Sequence, residues 1–452
     1  MDGERELLAG WGRTSPTAAE VVRPTTDDEL AKSVVDPGSR GVIARGLGRA
    51  YGDSAQNAGG RVVDATGVHG IRSFDEDAGV VRVAAGTSLD ELMLATVPAG
   101  WFVPVSPGTR FVTVGGAIAA DVHGKNHHAD GTFGAHVSSL ELVCADGSTR
   151  ALTPGSTPEE FWATCGGMGL TGAVVEATVR LHRIETSLMS VDTDRVADLD
   201  DLLARLRDGQ QRYRYSVAWV DLLARGRHLG RSVLTQGDFA PVDALPASKR
   251  AQPLAYGVHN AVPVPTAPSG VLNVVTVRAF NEFWFRKAPR AGRGHLETIP
   301  RFFHPLDMFE GWNRLYGSRG FLQWQCQVPF GAEDVLRRCI ESLANLRAPS
   351  FLAVLKTFGA AAPGPLSFPA PGWTLALDVP AGSVALAGLL DELDRWIVDA
   401  GGRLYLAKES RTRPELIPAM YPRLDEWRAV RDRLDPQRSL QSDLARRLDL
   451  LG

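Results

Sequence analysis

The sequence is poor in the features that mark disulfide-built, membrane-spanning or secreted proteins. Four cysteines occur among 452 residues, and none stands in a Cys-x-x-Cys pair. Their apolar surroundings predict reduced, buried thiols and a reducing compartment. No apolar run approaches the roughly 18 residues of a membrane span, and the charged opening stretch MDGERELLAGWGR predicts no signal peptide. We expect a protein of the cytoplasm or of the plasma-membrane surface, with the periplasmic side left open.

An excess of charge of either sign is also lacking. The formal net charge is −3, which indicates no nucleic-acid partner. Hydrophobic residues make up 44% and charged residues 22% of the chain, a balance typical of globular proteins. At 452 residues the chain is too long for one ordinary core, so we expect two or three domains.

Glycine, by contrast, is abundant, and its first cluster, in residues 45–53, is the most informative feature. Gly46, Gly48 and Gly52 directly follow the apolar run 41–44. Glycine lets backbone approach a ligand closely, and successive bare N–H groups hold anions, phosphates above all. The spacing fits neither a P-loop nor the dinucleotide fingerprint. The cluster predicts a phosphate-binding loop of another kind, with an ordinary turn as the alternative.

A second cluster opens with Gly115 and Gly116 and ends in a run of polar side chains. These side chains are His123, Lys125, Asn126, His127 and His128. Three histidines in six residues suggest a metal, but no His-Glu-x-x-His pattern and no suitably spaced carboxylate or cysteine accompanies them. We therefore expect no metal site. A solvated loop and a cofactor-facing loop stay open as alternatives.

A third cluster, residues 167–172, matches the pattern Gly-x-Gly-x-x-Gly in the wrong context. That fingerprint must follow a strand and open a helix. Here the helix-like stretch 159–164 precedes it and the β-branched stretch 173–179 follows it. A nicotinamide-binding Rossmann domain is therefore not expected.

Local patterns change near residue 187. Before it, short strands alternate with short helices; residues 88–91 form a capping-box pattern and Asp146-Gly147 signals a hairpin turn. After it, arginine-rich helices alternate with strands. The Pro- and Ala-rich stretch 239–271 predicts a long loop of functional or mobile character.

In this order, the three glycine clusters resemble the FAD-binding domain of the vanillyl-alcohol-oxidase/p-cresol-methylhydroxylase (PCMH) superfamily. The resemblance implies an α+β fold that holds FAD extended between two subdomains, with its pyrophosphate on the glycine loops. Further motifs along almost the whole chain resemble the decaprenylphosphoryl-β-D-ribose oxidase family, the flavoprotein half of an actinobacterial epimerase. These motifs lie at residues 44–56, 123–127, 302–307, 320–325, 366–373 and 405–408.

The family resemblance implies three parts. Residues 1–186 are expected to form a PCMH-type FAD-binding domain. Residues 187–402 are expected to form a substrate-binding domain built on an antiparallel sheet with flanking helices. Residues 403–452 are expected to return to the FAD domain.

The family resemblance also implies a reaction. The 2′-hydroxyl of a polyprenylphosphoryl ribose is oxidised to a 2′-keto sugar, with hydride transfer to FAD. A separate NADH-dependent ketoreductase then completes the epimerisation to the arabinose donor of the cell wall. Such a substrate is compatible with peripheral membrane contact.

Site residues are carried over from the family motifs. Lys408 and His123 are expected to be catalytic. The residues expected to bind FAD are Arg45, Gly46, Leu47, Gly48, Arg49, Ala50, Tyr51, Gly52, Gly108, Thr109, Thr113, Gly115, Gly116, Ala117, Ala120, Asp121, His123, Gly124, Asn126, His127, Gly172, Ala173, Val174 and Tyr405. The residues expected to bind the substrate are Trp219, Phe303, Gln323, Gln325, Lys356, Ala376, Asp378 and Lys408.

Elementary chemistry bears on several of these roles. Alcohol oxidation needs a group that takes the hydroxyl proton, and a lysine in a low-dielectric cavity tends to be neutral. Without the family resemblance, Lys408 would be interpreted as a surface lysine that follows a strand; the resemblance reverses that interpretation. Tyr405 would lie on the opposite face of a continuing strand, so a bend is required. Lys356 lies mid-strand among apolar residues, which favours an anionic or carbonyl partner. Gln323 and Gln325 share a strand face and suit sugar hydroxyls.

Two positions depart from what the resemblance implies. The superfamily often attaches FAD covalently through a histidine of the first loop, where this chain has Arg49, so we expect non-covalent FAD. Mycobacterial members carry a cysteine where this chain has Ala376. We expect the hydride chemistry to persist and thiol-directed inhibitors to lose potency.

Two other functions stay open. One is a soluble alditol or aldonolactone oxidase that uses O₂, and the other is a scaffold that binds FAD or lipid without catalysis. We further expect Leu355 and Trp373 to wall the cavity, and the segments 239–271 and 285–304 to form mobile flaps over an apolar groove.

Overall fold

Strands and helices alternate along the chain in the computed structural model, which describes residues 3–35, 37–268 and 270–452. The strands are β1 (Glu4–Leu8), β2 (Thr17–Val22), β3 (Val42–Arg45), β4 (Arg61–Asp64), β5 (Ile71–Asp75), β6 (Val80–Ala84), β7 (Trp101–Phe102), β8 (Val137–Val143), β9 (Thr149–Leu152), β10 (Ala173–Arg180), β11 (His182–Arg183), β12 (Leu188–Val196), β13 (Tyr215–Val220), β14 (Ser232–Phe239), β15 (Val262–Pro263), β16 (Ala291–Thr298), β17 (Phe309–Glu310), β18 (Phe321–Pro329), β19 (Ala353–Phe358), β20 (Gly372–Pro380) and β21 (Arg403–Leu404).

The helices follow the same chain order. They are α1 (Asp27–Val34), α2 (Leu89–Thr96), α3 (Val114–Ala119), α4 (His127–Asp130), α5 (Pro158–Thr164), α6 (Leu199–Gly209), α7 (Ala247–Arg250), α8 (Val274–Lys287), α9 (Ile299–Phe303), α10 (Glu333–Leu346), α11 (Val384–Asp399), α12 (Ile417–Met420), α13 (Leu424–Leu434) and α14 (Asp443–Arg447). Short 3₁₀ turns occur at Ala65–Gly67, Val97–Ala99, Phe133–His136, Gly226–His228, Val242–Ala244, Pro305–Met308, Trp312–Tyr316 and Pro414–Leu416.

Two sheets form the N-terminal part of the fold. The first has the order β1-β2-β4-β3, with parallel pairing of β4 to both β2 and β3. The second has the order β5-β6-β10-β8-β9 and is antiparallel throughout. Mixed sheets with interspersed helices confirm the α+β class.

Local signals of the N-terminal part are confirmed. Ser88 Oγ accepts from the Glu91 N–H at 3.1 Å, and the Glu91 carboxylate accepts from the Ser88 N–H at 2.9 Å, which closes the capping box of α2. The Asp146-Gly147 turn joins β8 to β9. The third glycine cluster lies between α5 and β10, so a helix precedes it and a strand follows it.

An eight-stranded antiparallel sheet follows in the chain, with the order β16-β12-β14-β13-β19-β20-β18-β21. Helices α6, α10 and α11 pack against one of its faces. Their apolar stripes supply that core, for example through Leu206, Ile340 and Leu390. The opposite face is left for the site described below.

The C-terminal residues pack on the first sheet. Leu440 forms a parallel bridge with Val42, and the Gln441 N–H donates to Val42 O at 2.9 Å. The guanidinium of Arg447 pairs with the carboxylate of Asp53 at 2.8 Å. These contacts agree with a segment that returns to the N-terminal sheets, although the boundaries at 186 and 402 stay a prediction.

The stretch 239–271, predicted as a long loop, contains after Phe239 only a 3₁₀ turn, α7 and the two-residue β15; its Ser269 lies outside the described residues. All four cysteines are buried and unpaired, as predicted. Across the part of the chain that the structure describes, no helix is both long and apolar enough to cross a membrane.

Candidate active site

A cavity of about 1250 Å³ is lined by the three glycine clusters and by the open face of the eight-stranded sheet. Pockets for a single small molecule span roughly 300–1,000 Å³. This cavity therefore has room for a large cofactor together with part of a second ligand.

The register of the sheet builds one wall of this cavity. Five lining residues stand opposite one another in successive pairs across β14, β13, β19, β20 and β18: Val233, Trp219, Val354, Ala376 and Gln325. Because side chains alternate along a strand, positions two residues away share the same face. Gln323 and Lys356 line the cavity for this reason.

The first glycine loop follows β3 and is fastened by its own arginine. The Arg45 guanidinium donates to Ala55 O at 3.0 Å and to Ala9 O at 2.8 Å. Gly48 has a φ of +64°, a left-handed conformation that favours glycine. These contacts fix the loop at the cavity wall.

The second glycine loop packs directly against the first. Thr113 Oγ1 caps α3 by accepting from the Gly116 N–H at 3.1 Å. A Cβ on Gly46 would collide with that same Thr113 oxygen, so the contact requires glycine. A Cβ on Gly108 would instead stand in open space at the cavity wall.

Arg49 brings a buried positive charge to the first loop. Its guanidinium carbon lies 3.9 Å from the centroid of the Trp11 ring, and its Nε has no hydrogen-bond partner among the described residues. Burial lowers the pKa of Arg49, and the carboxylate of Asp307 opposes that shift. A guanidinium whose Nε lacks a partner, beside glycine backbone, fits the pyrophosphate of FAD.

Lys408 lies in the turn that follows β21. Its N–H donates to Tyr405 O at 3.0 Å, and the turn supplies the expected bend that brings both side chains to the cavity. The Lys408 ammonium stands 3.8 Å from the centroid of the Tyr51 ring. Burial lowers the pKa of Lys408; the carboxylate of Asp378 opposes the shift and the charge of Lys356 adds to it.

Asp378 lies on the same face of β20 as Ala376, opposite Gln323, and is fully buried. Its Oδ1 accepts from Gln323 Nε2 at 2.5 Å, whereas Oδ2 has no partner in the described part of the chain. Burial raises the pKa of Asp378, and both Gln323 and Lys408 oppose the rise. Burial thus favours the neutral forms of this acid and of Lys408 alike.

His123 contacts the rings of Phe358 and Tyr405, and Gln325 Nε2 lies 2.9 Å from its Nε2. Because an amide nitrogen only donates, His123 Nε2 accepts, and the proton of the neutral ring lies on Nδ1. Burial, reinforced by Lys356, lowers the pKa of His123 well below its ordinary range. The neutral imidazole therefore keeps one N–H without a partner among the described residues.

Two further lysines are half-buried at the cavity wall. Lys356 Nζ lies 3.4 Å from Gly124 O, and burial lowers its pKa to about 8. Lys125 Nζ contacts Phe302 O and lies 4.4 Å from the centroid of the Phe302 ring. Burial lowers the pKa of Lys125 to about 7.

The cavity lining is strongly basic, although the chain as a whole is slightly acidic. Glu297 is the single carboxylate among the described lining residues. The cationic lining residues are Arg45, Arg49, Lys125, Lys287, Arg293, Arg301, Lys356 and Lys408. Such an imbalance favours ligands that carry phosphate groups.

Most of the residues expected at the site line this one cavity. Those that do not are Gly52, Ala117, Asp121, Asn126, His127 and Asp378. Several of these hold the walls in place: Asn126 Nδ2 donates to Pro104 O at 2.8 Å, and His127 Nδ1 accepts from the Gly359 N–H at 3.1 Å.

The expectations for Leu355, Trp373 and the two segments need correction. Leu355 alternates with Lys356 and therefore faces the helix-covered side, and Trp373 Nε1 donates to Glu333 at the start of α10, at 2.9 Å. None of the described residues of 239–271 lines the cavity, whereas the segment 285–304 does so as β16 and α9.

Sequence reasoning missed the residues that attach the 302–307 motif to the second loop. Ser106 Oγ lies 2.6 Å from His304 Nε2, and both residues are buried. Asp307 Oδ2 accepts from the Arg110 N–H at 2.8 Å. These partners are almost 200 residues apart in the chain, so no local pattern could have paired them.

Comparison with known proteins agrees with this geometry. A family model described as "FAD binding domain" matches residues 18–153. The chain is 45% identical over 450 residues to decaprenylphosphoryl-β-D-ribose oxidase of Mycolicibacterium smegmatis, across 98% of this chain and 97% of that protein. It is 43% identical to a Streptomyces coelicolor protein encoded in the mprA 5′ region, across 80% of this chain and 100% of that protein. It is 30% identical to alditol oxidase of a Streptomyces species, across only 39% of this chain and 42% of that protein.

The α+β fold, the glycine loops on a basic cavity and the matched domain define an FAD-dependent oxidoreductase. The 45% identity to the Mycolicibacterium protein extends over almost the whole of both chains, whereas the similarity to alditol oxidase covers less than half of each chain. The chain belongs to the decaprenylphosphoryl-β-D-ribose oxidase family.

Proposed function

We propose that this protein oxidises the 2′-hydroxyl of decaprenylphosphoryl-β-D-ribose to the 2′-keto sugar. This is the first half of an epimerisation that yields decaprenylphosphoryl arabinose for cell-wall arabinan. One observation carries the proposal: a single basic cavity joins the glycine loops to a sheet face that carries Gln323, Gln325 and Lys356, with Lys408 beside it.

FAD, when bound, supplies the hydride acceptor that oxidation of a secondary alcohol requires. Lys408 takes the proton of the 2′-hydroxyl, because burial disfavours its ammonium form. Tyr51, whose ring packs on the Lys408 side chain, fixes the position of that amine. The carboxylate of Asp378 moderates the shift, so the proton can be retained after transfer.

The remaining polar groups orient the sugar. Gln325 is held by His123 and by Thr374 Oγ1, the latter at 3.1 Å, so its amide has a fixed direction. Gln323 is held in the same way by Asp378. Fixed amides on one strand face suit the hydroxyls of a furanose ring.

Several assignments belong to this proposal. FAD is held without a covalent bond, since Arg49 occupies the place of the attaching histidine. Lys356 and Lys125 are offered as partners for the substrate phosphate or for flavin carbonyls. We also propose the domain boundaries at residues 186 and 402 and the roles of the site residues named above.

The keto product requires a second enzyme. Reduction of the ketone from the other face gives the arabinose epimer, and we propose an NADH-dependent ketoreductase as that partner. Because the substrate carries a polyprenyl chain, we also propose that the protein makes peripheral contact with a membrane.

No group of three or more metal-ligating side chains occurs among the described residues.

The decisive experiment is anaerobic reduction of the bound flavin. A polyprenylphosphoryl ribose should bleach the flavin absorbance and yield a 2′-keto sugar detectable by mass spectrometry, whereas free ribose at the same concentration should not. Bleaching by free alditols, with peroxide formed on admission of O₂, would favour an alditol oxidase instead. A protein that holds flavin but is bleached by none of these sugars would be a scaffold.

A further inference from the structure

Exposed apolar side chains are concentrated in one part of the chain. Of the fifteen large hydrophobic residues that are exposed in the described structure, nine fall between residues 258 and 309. They are Val258, Val262, Val271, Val275, Phe280, Phe283, Trp284, Met308 and Phe309. Soluble proteins scatter such residues singly, and a local concentration marks an interaction surface.

Helix α8 presents its larger apolar side chains outward. Val275 is 76% exposed and Phe283 is 61% exposed, and Phe280 stacks on Trp284 with ring centroids 6.0 Å apart. A surface helix ordinarily turns such residues to the core. Solvent exposure of this face is costly unless something covers it.

The inward side of α8 is attached by polar contacts rather than by a broad apolar stripe. Asn281 is fully buried, and its Nδ2 donates to Asp221 Oδ1 at 2.7 Å. Arg231 links the same Asp221 to Glu282 of the helix, at 2.6 and 2.7 Å. These bonds fix which side of α8 faces outward.

The outward face of α8 continues into the cavity. Trp284 and Lys287 line the cavity wall, and so does Met308, which is 48% exposed. An apolar chain that leaves the cavity on this side would emerge beside the exposed rings. We call Val275, Phe280, Phe283, Trp284, Met308 and Phe309 the mouth patch.

Basic residues surround the mouth patch. Residues 274–301 contain six arginines or lysines and two glutamates, in a chain whose net charge is −3. The side chains of Arg286 and Arg301 are 75% and 70% exposed, although each also pairs with a glutamate of the same segment, Glu282 and Glu297. Aromatic rings next to such cations match the boundary between acyl chains and anionic headgroups.

We propose that the mouth patch docks on an anionic lipid bilayer, with α8 lying in the interface and the cavity opening toward the acyl chains. The proposal rests on the proposed function in one respect: a polyprenyl-linked sugar resides in a membrane and must be reached from it. A bilayer explains the aromatic face and the basic flank together, whereas an apolar protein partner would leave unmatched Arg278, Lys287 and Arg290, which have no ion pair among the described residues.

The test is co-sedimentation of the FAD-loaded protein with vesicles, in the absence of substrate. Vesicles of phosphatidylcholine with phosphatidylglycerol should bind the protein, vesicles of phosphatidylcholine alone should bind it far less, and added salt should release it. The double variant Val275→Ser/Phe283→Ser should lower the affinity at least about tenfold, through lost apolar burial. Val384→Ser, at an 88% exposed valine on α11, is the matched control and should bind as the parent protein does.

A second variant guards against misfolding of the first. Arg286→Glu/Arg290→Glu leaves the apolar face intact and should also lower vesicle affinity, while flavin content and absorbance stay unchanged. Vesicle binding that is absent, or equal for all variants, overturns the proposal. So does concentration-dependent dimerisation abolished by the apolar variant, since the patch would then be covered by a second copy. Because no sugar is present, failure of the ribose oxidation leaves this result interpretable, and the reverse also holds.

Discussion

Burial lowers the pKa of Lys408 and so favours the neutral amine that the proposed base requires. The side chain is enclosed by the Tyr51 ring and faces the charges of Asp378 and Lys356. Removal of the amine by Lys408→Met should slow anaerobic flavin reduction by about 10²–10⁴-fold, the range for loss of a general base. Rapid-mixing absorbance at saturating substrate measures this rate. Lys249→Met, at an exposed lysine remote from the cavity, should match the parent.

The pH dependence of the same step follows from the direction of the Lys408 shift. Only the neutral amine accepts a proton, so the reduction rate should rise as the pH passes upward through the lowered pKa and then level off. Lys356→Met removes a positive neighbour, which raises the pKa of Lys408 and moves the inflection to higher pH. A pH profile of the reduction rate for both proteins tests this. A rate that falls with rising pH in this range would speak against Lys408 as the base.

The side chain at position 376 should affect the reaction with thiol-directed inhibitors but not the hydride transfer. It lines the cavity on β20, opposite Gln325, and contributes no group that a hydride transfer needs. Ala376→Cys should keep turnover and gain rapid covalent labelling by thiol-directed inhibitors, read by intact-protein mass spectrometry. The parent protein serves as the control, because its four cysteines are buried. Unchanged sensitivity of the variant would contradict the assignment of this wall to the inhibitor site.

At the scale of elements, the C-terminal return depends on one buried ion pair. Arg431 and Asp435 are both fully buried at 3.1 Å, and Asp435 also accepts from the Ser439 and Leu440 N–H groups. These bonds position Leu440 against β3. Asp435→Ala leaves the buried guanidinium with only the partially exposed Asp432 as a charged partner and should destabilise the protein by about 3–5 kcal/mol.

Denaturant unfolding followed by flavin release measures the effect of Asp435→Ala. The matched control is Asp432→Ala, which removes the partially exposed partner of the same arginine and should cost less than about 1 kcal/mol. Equal losses for the two variants would show that burial of the pair is not what holds the segment.

Elements with a local cause were predictable from sequence, and those with a distant cause were not. The capping box of α2 and the Asp146-Gly147 hairpin were found because their partners are neighbours in the chain. The strand face shared by Gln323 and Gln325 was found for the same reason. The wall position of Leu355 was predicted wrongly, because strand alternation alone does not tell which face the helices cover.

Only those parts of the candidate site that belong to sequence motifs were predictable. The glycine loops indicated a phosphate ligand, and the family resemblance indicated Lys408 and His123. The pairing of Ser106 with His304, and the position of the described residues of 239–271 away from the cavity, depend on contacts between distant parts of the chain. Such contacts leave no period or spacing in the sequence.

At the scale of the whole molecule, the cavity lies between elements from both ends of the chain. Glycine loops of the N-terminal sheets form one side, and the eight-stranded sheet with the turn after β21 forms the other. A ligand held there contacts both parts at once and adds to the hydrogen bonds that already join them. Cofactor binding should therefore be linked to the stability of the whole fold.

The stability of the fold should depend on the FAD concentration only if the flavin is not covalently attached. With Arg49 in place of an attaching histidine, acid precipitation should leave the flavin in the supernatant. The unfolding temperature should rise with added FAD, and free FAD at about 100 times its Kd should stabilise the fold by roughly 2.7 kcal/mol relative to the apoprotein. Differential scanning fluorimetry over a range of FAD concentrations measures the shift, with riboflavin, which lacks the pyrophosphate, as the control ligand. Flavin that stays in the pellet would show a covalent bond formed by some other residue, and the role given to Arg49 would then be wrong. An unfolding temperature of the apoprotein that does not change with added FAD would contradict reversible FAD binding.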